Sequence, residues 1–94
     1  MDVIDCKTKD DIILYLVSNF NYATDKIYRD DFILIMGFRR AFCCHQVWYS
    51  KLQNMYAFHI EDQDEFNGNP NMGLYNSFYE LLDGVADIYY KKWF

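Results

Sequence analysis

Cysteine and histidine stand together at Cys43-Cys44-His45, with Cys6 and His59 elsewhere in the chain as further possible donors to a metal. Tetrahedral zinc sites space paired ligands by about two to four residues, so that both side chains turn onto one ion. Adjacent side chains diverge on a helix or a strand, and no Cys-x-x-Cys is present. The pattern predicts packing cysteines and no metal. A nucleophilic thiol beside either histidine lacks a third group to orient the base. The run Glu61-Asp62-Gln63-Asp64-Glu65-Phe66-Asn67-Gly68 has the acidity of a calcium loop without its frame. Glycine at the sixth position would put Gln63 first and Glu65 third, and a glutamine is a poor opening ligand.

Glu80, Asp83 and Asp87 fall at i, i+3 and i+7 of a helical pattern, with Tyr79 and Tyr90 at its borders and Tyr75 beside it. Nothing in the pattern supplies a pocket that would drive two carboxyl pKa values apart, so the group is not an acid-base pair. A phosphate loop, a Ser-His-Asp order, a His-Glu-x-x-His and a dinucleotide glycine pattern are all missing. We therefore expect no catalytic residues, no cofactor and no enzyme activity. A carboxylate stripe edged by tyrosine can serve as a contact surface, with tyrosine giving rigid area and the acids selecting a basic partner. The residues expected to carry such contact are Glu61, Asp62, Asp64, Glu65, Tyr79, Glu80, Asp83 and Asp87.

Charge gives this expectation its direction. Nine Lys and Arg against fourteen Asp and Glu leave a net charge of −5, which repels a phosphate backbone and argues against direct nucleic-acid binding. An acidic surface suits a partner's basic groove. The sequence thus predicts a non-enzymatic protein that occludes such a groove, on a nuclease or another nucleic-acid enzyme. It would act as a DNA mimic from a phage or mobile element does, in anti-defence or toxin immunity. Residues with AT-rich codons (Phe, Tyr, Met, Ile, Asn, Lys) far outnumber Gly, Ala, Arg and Pro, in keeping with such a source. Two alternatives come from the aromatic content, which is 20% of the chain. Surplus rings can bury one another in a homo-oligomeric structural or adaptor domain, or stack a small ligand such as a nucleotide signal.

These residues need elements to position them. The 94 residues, 52% hydrophobic, fit a single domain over 1–94. No apolar run reaches the ~18–20 residues of a membrane helix, and the acidic opening Met1-Asp2-Val3-Ile4-Asp5 is not a signal peptide. With three cysteines, this predicts a reducing cytoplasmic setting.

Thr8 and Asp11 form a capping box ahead of a first helix over Lys9 to Phe20, with Ile13, Leu16, Val17 and Phe20 facing a core. Asn69-Pro70 marks the start of a last helix whose apolar positions are Leu74, Phe78, Leu81, Leu82, Val85, Ile88, Tyr89 and Trp93. Gly84 inside it is read as permitting a close helix crossing. Between Arg39 and Tyr56, Phe42, Trp48, Tyr49, Leu52, Met55 and Tyr56 keep a 3.5-residue beat, and no Gly, Pro, Asp or Asn interrupts Phe38 to Gln53. Helix is favoured there on periodicity. The expected fold is a mainly α, small helical bundle. The alternative is an α+β domain with a small antiparallel sheet from residues 32–60, since Phe32 to Met36 and Met55 to Ile60 have strand-like composition.

Overall fold

The computed structural model describes residues 6–40, 43–61 and 71–93. Among them the chain runs α1 (Lys9–Asn19), β1 (Asn21–Tyr22), β2 (Tyr28–Arg29), β3 (Phe32–Arg40), β4 (Cys43–Ser50), β5 (Met55–Glu61), β6 (Asn71–Tyr75) and α2 (Phe78–Trp93). The strands form one antiparallel sheet in the order β1-β3-β4-β5-β6, and β2 also pairs with β3. The domain is α+β, which overturns the expected helical bundle. The alternative comes nearer, but its sheet over 32–60 omits β1, β2 and β6.

The helical beat through 39–56 has a physical explanation. β4 is the central strand, and both of its faces are covered: Val47 and His45 on one, Trp48 and Ser50 on the other are each at most 5% exposed. A strand buried on both faces loses the apolar-polar alternation by which strands are recognised. A bulge between Leu34 and Met36 also shifts the register of β3 against β4, which breaks period two in the neighbouring strand. The expected absence of a turn misleads for a related reason. β4 turns into β5 through residues 51–54, where Asn54 takes the left-handed conformation at φ 53, one position past the interval that lacks turn residues. At the other end of β4, Arg40 pairs with Cys43, and residues 41–42 between them lie outside the described residues.

α1 begins where the capping box predicts. Thr8 Oγ1 accepts from the Asp11 N–H at 3.2 Å, while the Asp11 carboxylate accepts from the N–H groups of Thr8 at 3.1 Å and Lys7 at 3.0 Å. These bonds satisfy amides that the first helical turn leaves open, and they hold the Asp11 carboxyl below its ordinary range. The buried face is Ile12, Tyr15 and Leu16, rotated from the expected stripe so that Val17 is half exposed. Phe20 still packs against the core, from the extended C-cap position.

α2 starts later than expected. Ser77 Oγ accepts from the Glu80 N–H at 3.1 Å, and the Glu80 carboxylate reaches back to the Asn76 N–H at 3.2 Å. The residues ahead of it, Asn71–Tyr75, are strand β6, and Asn69 and Pro70 lie outside the described residues. Leu74 is thus a strand residue, half exposed, and not part of a helical stripe. Leu81, Leu82, Val85, Ala86 and Tyr89 of α2 join the α1 face and Val47, Phe58 and Ile60 of the sheet in one core. Gly84 does permit a close approach, but by the ring of Tyr75 from β6 rather than by another helix.

Strand register sorts every sheet residue to one face or the other. The rows Ile33–Tyr49–Tyr56–Tyr75, Met36–Val47–Phe58 and Phe38–His45–Ile60 cross the sheet on the side of the helices. On the reverse side run Leu34–Trp48–Ala57–Leu74, Phe32–Ser50–Met55 and Gly37–Gln46–His59. Both described helices pack on the first side, and the second is covered by neither.

Candidate functional site

The expected contact residues occupy two places. Tyr79, Glu80, Asp83 and Asp87 lie on α2, and Tyr79 is 72% exposed. Glu61 ends β5, whereas Asp62, Asp64 and Glu65 lie outside the described residues. The helix carboxylates are already engaged within the chain. Lys9 Nζ of α1 sits 3.0 Å from Asp83 and 4.0 Å from Asp87, and Lys91 Nζ sits 3.1 Å from Asp87. The hydrogen bond to Asp83, aided by both negative charges, raises the Lys9 ammonium above its ordinary pKa. Glu80 is occupied in capping its own helix. The stripe expected to present negative charge is thus a mixed-charge seam that ties α1 to α2.

The reverse side of the sheet has a different character. Its central residue is Trp48, whose indole N–H donates to Gln46 Oε1 at 3.2 Å. Arg29, on the short strand β2, reaches across β3 and lies over the indole in a cation–π contact, with its Cζ 5.4 Å from the ring centroid. Trp48 is only 5% exposed although neither described helix covers it. Around it lies a depression of 170 Å³ whose lining includes Phe32, Ala57, Leu74, Arg29, Asp30 and His59. The arrangement is an apolar centre with a charged margin.

The turn that carries Arg29 is held firmly. Arg29 pairs with Phe32, so the chain reverses through Asp30 and Asp31, and Asp30 adopts φ 58. The Asp31 carboxylate accepts from Ser50 Oγ at 2.7 Å and from Gln53 Nε2 at 2.9 Å, and Ser50 Oγ accepts from the Gln53 N–H at 3.0 Å. The two hydrogen bonds to its carboxylate keep the Asp31 pKa below its ordinary value. This network joins the β2–β3 turn to the β4–β5 turn and fixes the base from which Arg29 extends.

Two further hollows are present. A groove of 210 Å³ is lined by Val17, Phe20, Tyr22, Met36 and Phe78. A wider one of 280 Å³ near Gly37 includes Asn21, Thr24, Cys44 and Gln46 in its lining. Neither brings together groups for chemistry. Among the described residues no three His, Cys, Asp or Glu side chains converge to hold a metal ion, and no helix is long and apolar enough to cross a membrane. Cys6 is buried in the core, and His45 is stacked on Phe38 at 4.6 Å between ring centroids.

Sequence reasoning missed Arg29, Phe32, Trp48 and Leu74 as a group. The one available signal was the alternation of Met55-Tyr56-Ala57-Phe58-His59-Ile60, with large residues at every second position. Read as a strand, it would have put Ala57 and His59 on the face opposite the core. No protein-family model, curated protein or solved structure matches the chain.

Proposed function

We propose that this chain is a non-enzymatic interaction domain that associates with a second copy of itself through the sheet face opposite the described helices. The observation that carries this reading is the row Leu34–Trp48–Ala57–Leu74, which crosses four strands with neither described helix over it. Leu74 is 51% exposed at its end, and apolar surface of this kind costs free energy while it faces water. Competing readings fare worse on size and charge. Drug-sized ligands occupy clefts of about 300–1,000 Å³, well above the 170 Å³ here, so a nucleotide would be poorly enclosed. Docking of the α2 carboxylates onto a basic groove would have to displace Lys9 and Lys91 from Asp83 and Asp87. A self-pairing surface needs neither.

Sedimentation of the full chain tests the reading. The wild type should form a concentration-dependent dimer, and Leu74→Glu should sediment as a monomer with unchanged far-UV circular dichroism. A wild type that stays monomeric at up to millimolar concentration would overturn it.

A further inference from the structure

We infer that Arg29 of one protomer pairs with Asp30 of a second copy, and Asp30 with Arg29, across a two-fold axis through the sheet face opposite the described helices. The inference rests on the self-association proposed above and names the contact that would orient it.

Arg29 and Asp30 are adjacent, exposed and of opposite charge, and both line the depression around Trp48. No ion pair engages either of them among the described residues. Their neighbour Asp31 differs, because its carboxylate is committed to Ser50 and Gln53. Asp30 is therefore the acid of this turn that remains available to an outside partner. Arg29 is held ready to receive one. Its Cζ lies 5.4 Å over the Trp48 ring, which sets the guanidinium beside the depression, where its N–H fork can grip a carboxylate in two parallel bonds. A side chain already held in place also loses less freedom when it binds.

Charge complementarity selects a second copy as the occupant. In a two-fold contact, if residue i of one protomer meets j of the other, j also meets i. A patch of a single sign would repel its own image. A patch carrying one cation and one anion beside an apolar row matches its own image, with two Arg29–Asp30 pairs flanking the rows of Phe32, Trp48 and Leu74.

The experiment is a charge swap read by sedimentation of the full chain at moderate salt. R29D and D30R should each weaken self-association by about tenfold or more, as loss of a rim-to-core charge pair does. Mixed together, they should form a heterodimer, and the double variant R29D/D30R should recover self-association. Asp30 sits at φ 58, where Asn is tolerated, so D30N removes the charge without straining the turn and should weaken association as well. Trp48 fluorescence and circular dichroism check that each variant folds. If Leu74→Glu is monomeric while R29D and D30N still dimerise, the pairing is wrong and the face reading stands. If the singles fail and neither mixture nor double variant recovers, Arg29 serves only to cover Trp48, and the pairing is again wrong. A monomeric wild type stabilised by free acetate or glutamate through Arg29 would assign the site to a small carboxylate and overturn both readings.

Discussion

The ring of Tyr75 lies directly on Gly84 of α2, so close that a Cβ at position 84 would sit 2.5 Å from Cε1 and 3.0 Å from the hydroxyl oxygen. This contact lets edge strand β6 press against the helix, and it half-buries a tyrosine whose phenol pKa is raised by the loss of water around it. On helix propensity alone, Gly84→Ala would stabilise α2 by about 1 kcal/mol. Overpacking against a ring costs about 1–3 kcal/mol. The expected net result is a loss of about 1 kcal/mol and a melting temperature lower by about 4–8 °C. In a Tyr75→Leu background the sign should reverse, because the obstructing ring is gone. Thermal melts of the four proteins decide it, and a rise in melting temperature for Gly84→Ala alone would show that the ring moves aside at no cost.

A second contact ties the middle of the sheet to the same helix. His45 Nδ1 and the Tyr89 hydroxyl are hydrogen-bonded inside the core, where His45 is 1% exposed and Tyr89 fully buried. Phe38 stacks on the imidazole, and Tyr89 meets it edge-on at 5.8 Å. Tyr89→Phe keeps the ring and removes this bond from a buried site, so it should cost about 1–3 kcal/mol. Urea unfolding should show a lower midpoint at unchanged slope. A double-mutant cycle with His45→Phe should give a coupling of about 0.5 kcal/mol or more. Zero coupling would mean that the bond contributes nothing to stability.

How much of this was legible beforehand depends on where each residue lies. The cap of α1 could be read because Thr8 and Asp11 act locally, within one turn. Most of the buried face of α2 could be read too, since Leu81, Leu82, Val85 and Tyr89 repeat against a polar stripe. The sheet could not, because its central strand shows no alternation: Val47 and Trp48 are both buried, for opposite reasons. Val47 is covered by the helices, and Trp48 by Arg29. The second cover is a long-range contact between β2 and β4, and no local pattern announces it. The same limit applies to the acidic stripe. Spacing put Asp83 and Asp87 on one face, but their neutralisation by Lys9 comes from the opposite end of the chain.

Acidification should loosen the joint between the two hairpin turns. The Asp31 pKa is lowered in the fold by hydrogen bonds from Gln53 and Ser50, so its ionised form is the one that the fold favours. That contribution is present in full above the unfolded-state value, 3.8, and is lost as pH falls through the lower folded value. Asp31→Asn should therefore be less stable than the wild type at neutral pH, and the gap should close as pH falls below the ordinary carboxyl range. Urea midpoints of both proteins between neutral pH and about pH 2.5 would show it. A gap that stays constant with pH would mean that the charge on Asp31 is irrelevant to the network.

The α2 carboxylates supply the sharpest separation between the two ways in which this chain could meet a partner. If the sheet face is the contact, Asp83→Asn with Asp87→Asn removes only the seam to Lys9 and Lys91. Exposed ion pairs of this kind contribute little to stability and are screened by salt. The double variant should then self-associate as the wild type does and melt only slightly lower, with the difference shrinking at high salt. If instead the carboxylates dock on a cationic groove, the seam is their resting state, and the same two substitutions should abolish capture of the partner while leaving Leu74→Glu unaffected. Sedimentation and partner capture together separate the readings, because only the sheet-face reading has Leu74→Glu lose a dimer that Asp83→Asn/Asp87→Asn keeps. Dimer loss in Asp83→Asn/Asp87→Asn with Leu74→Glu intact would move the functional surface from the sheet to the helix.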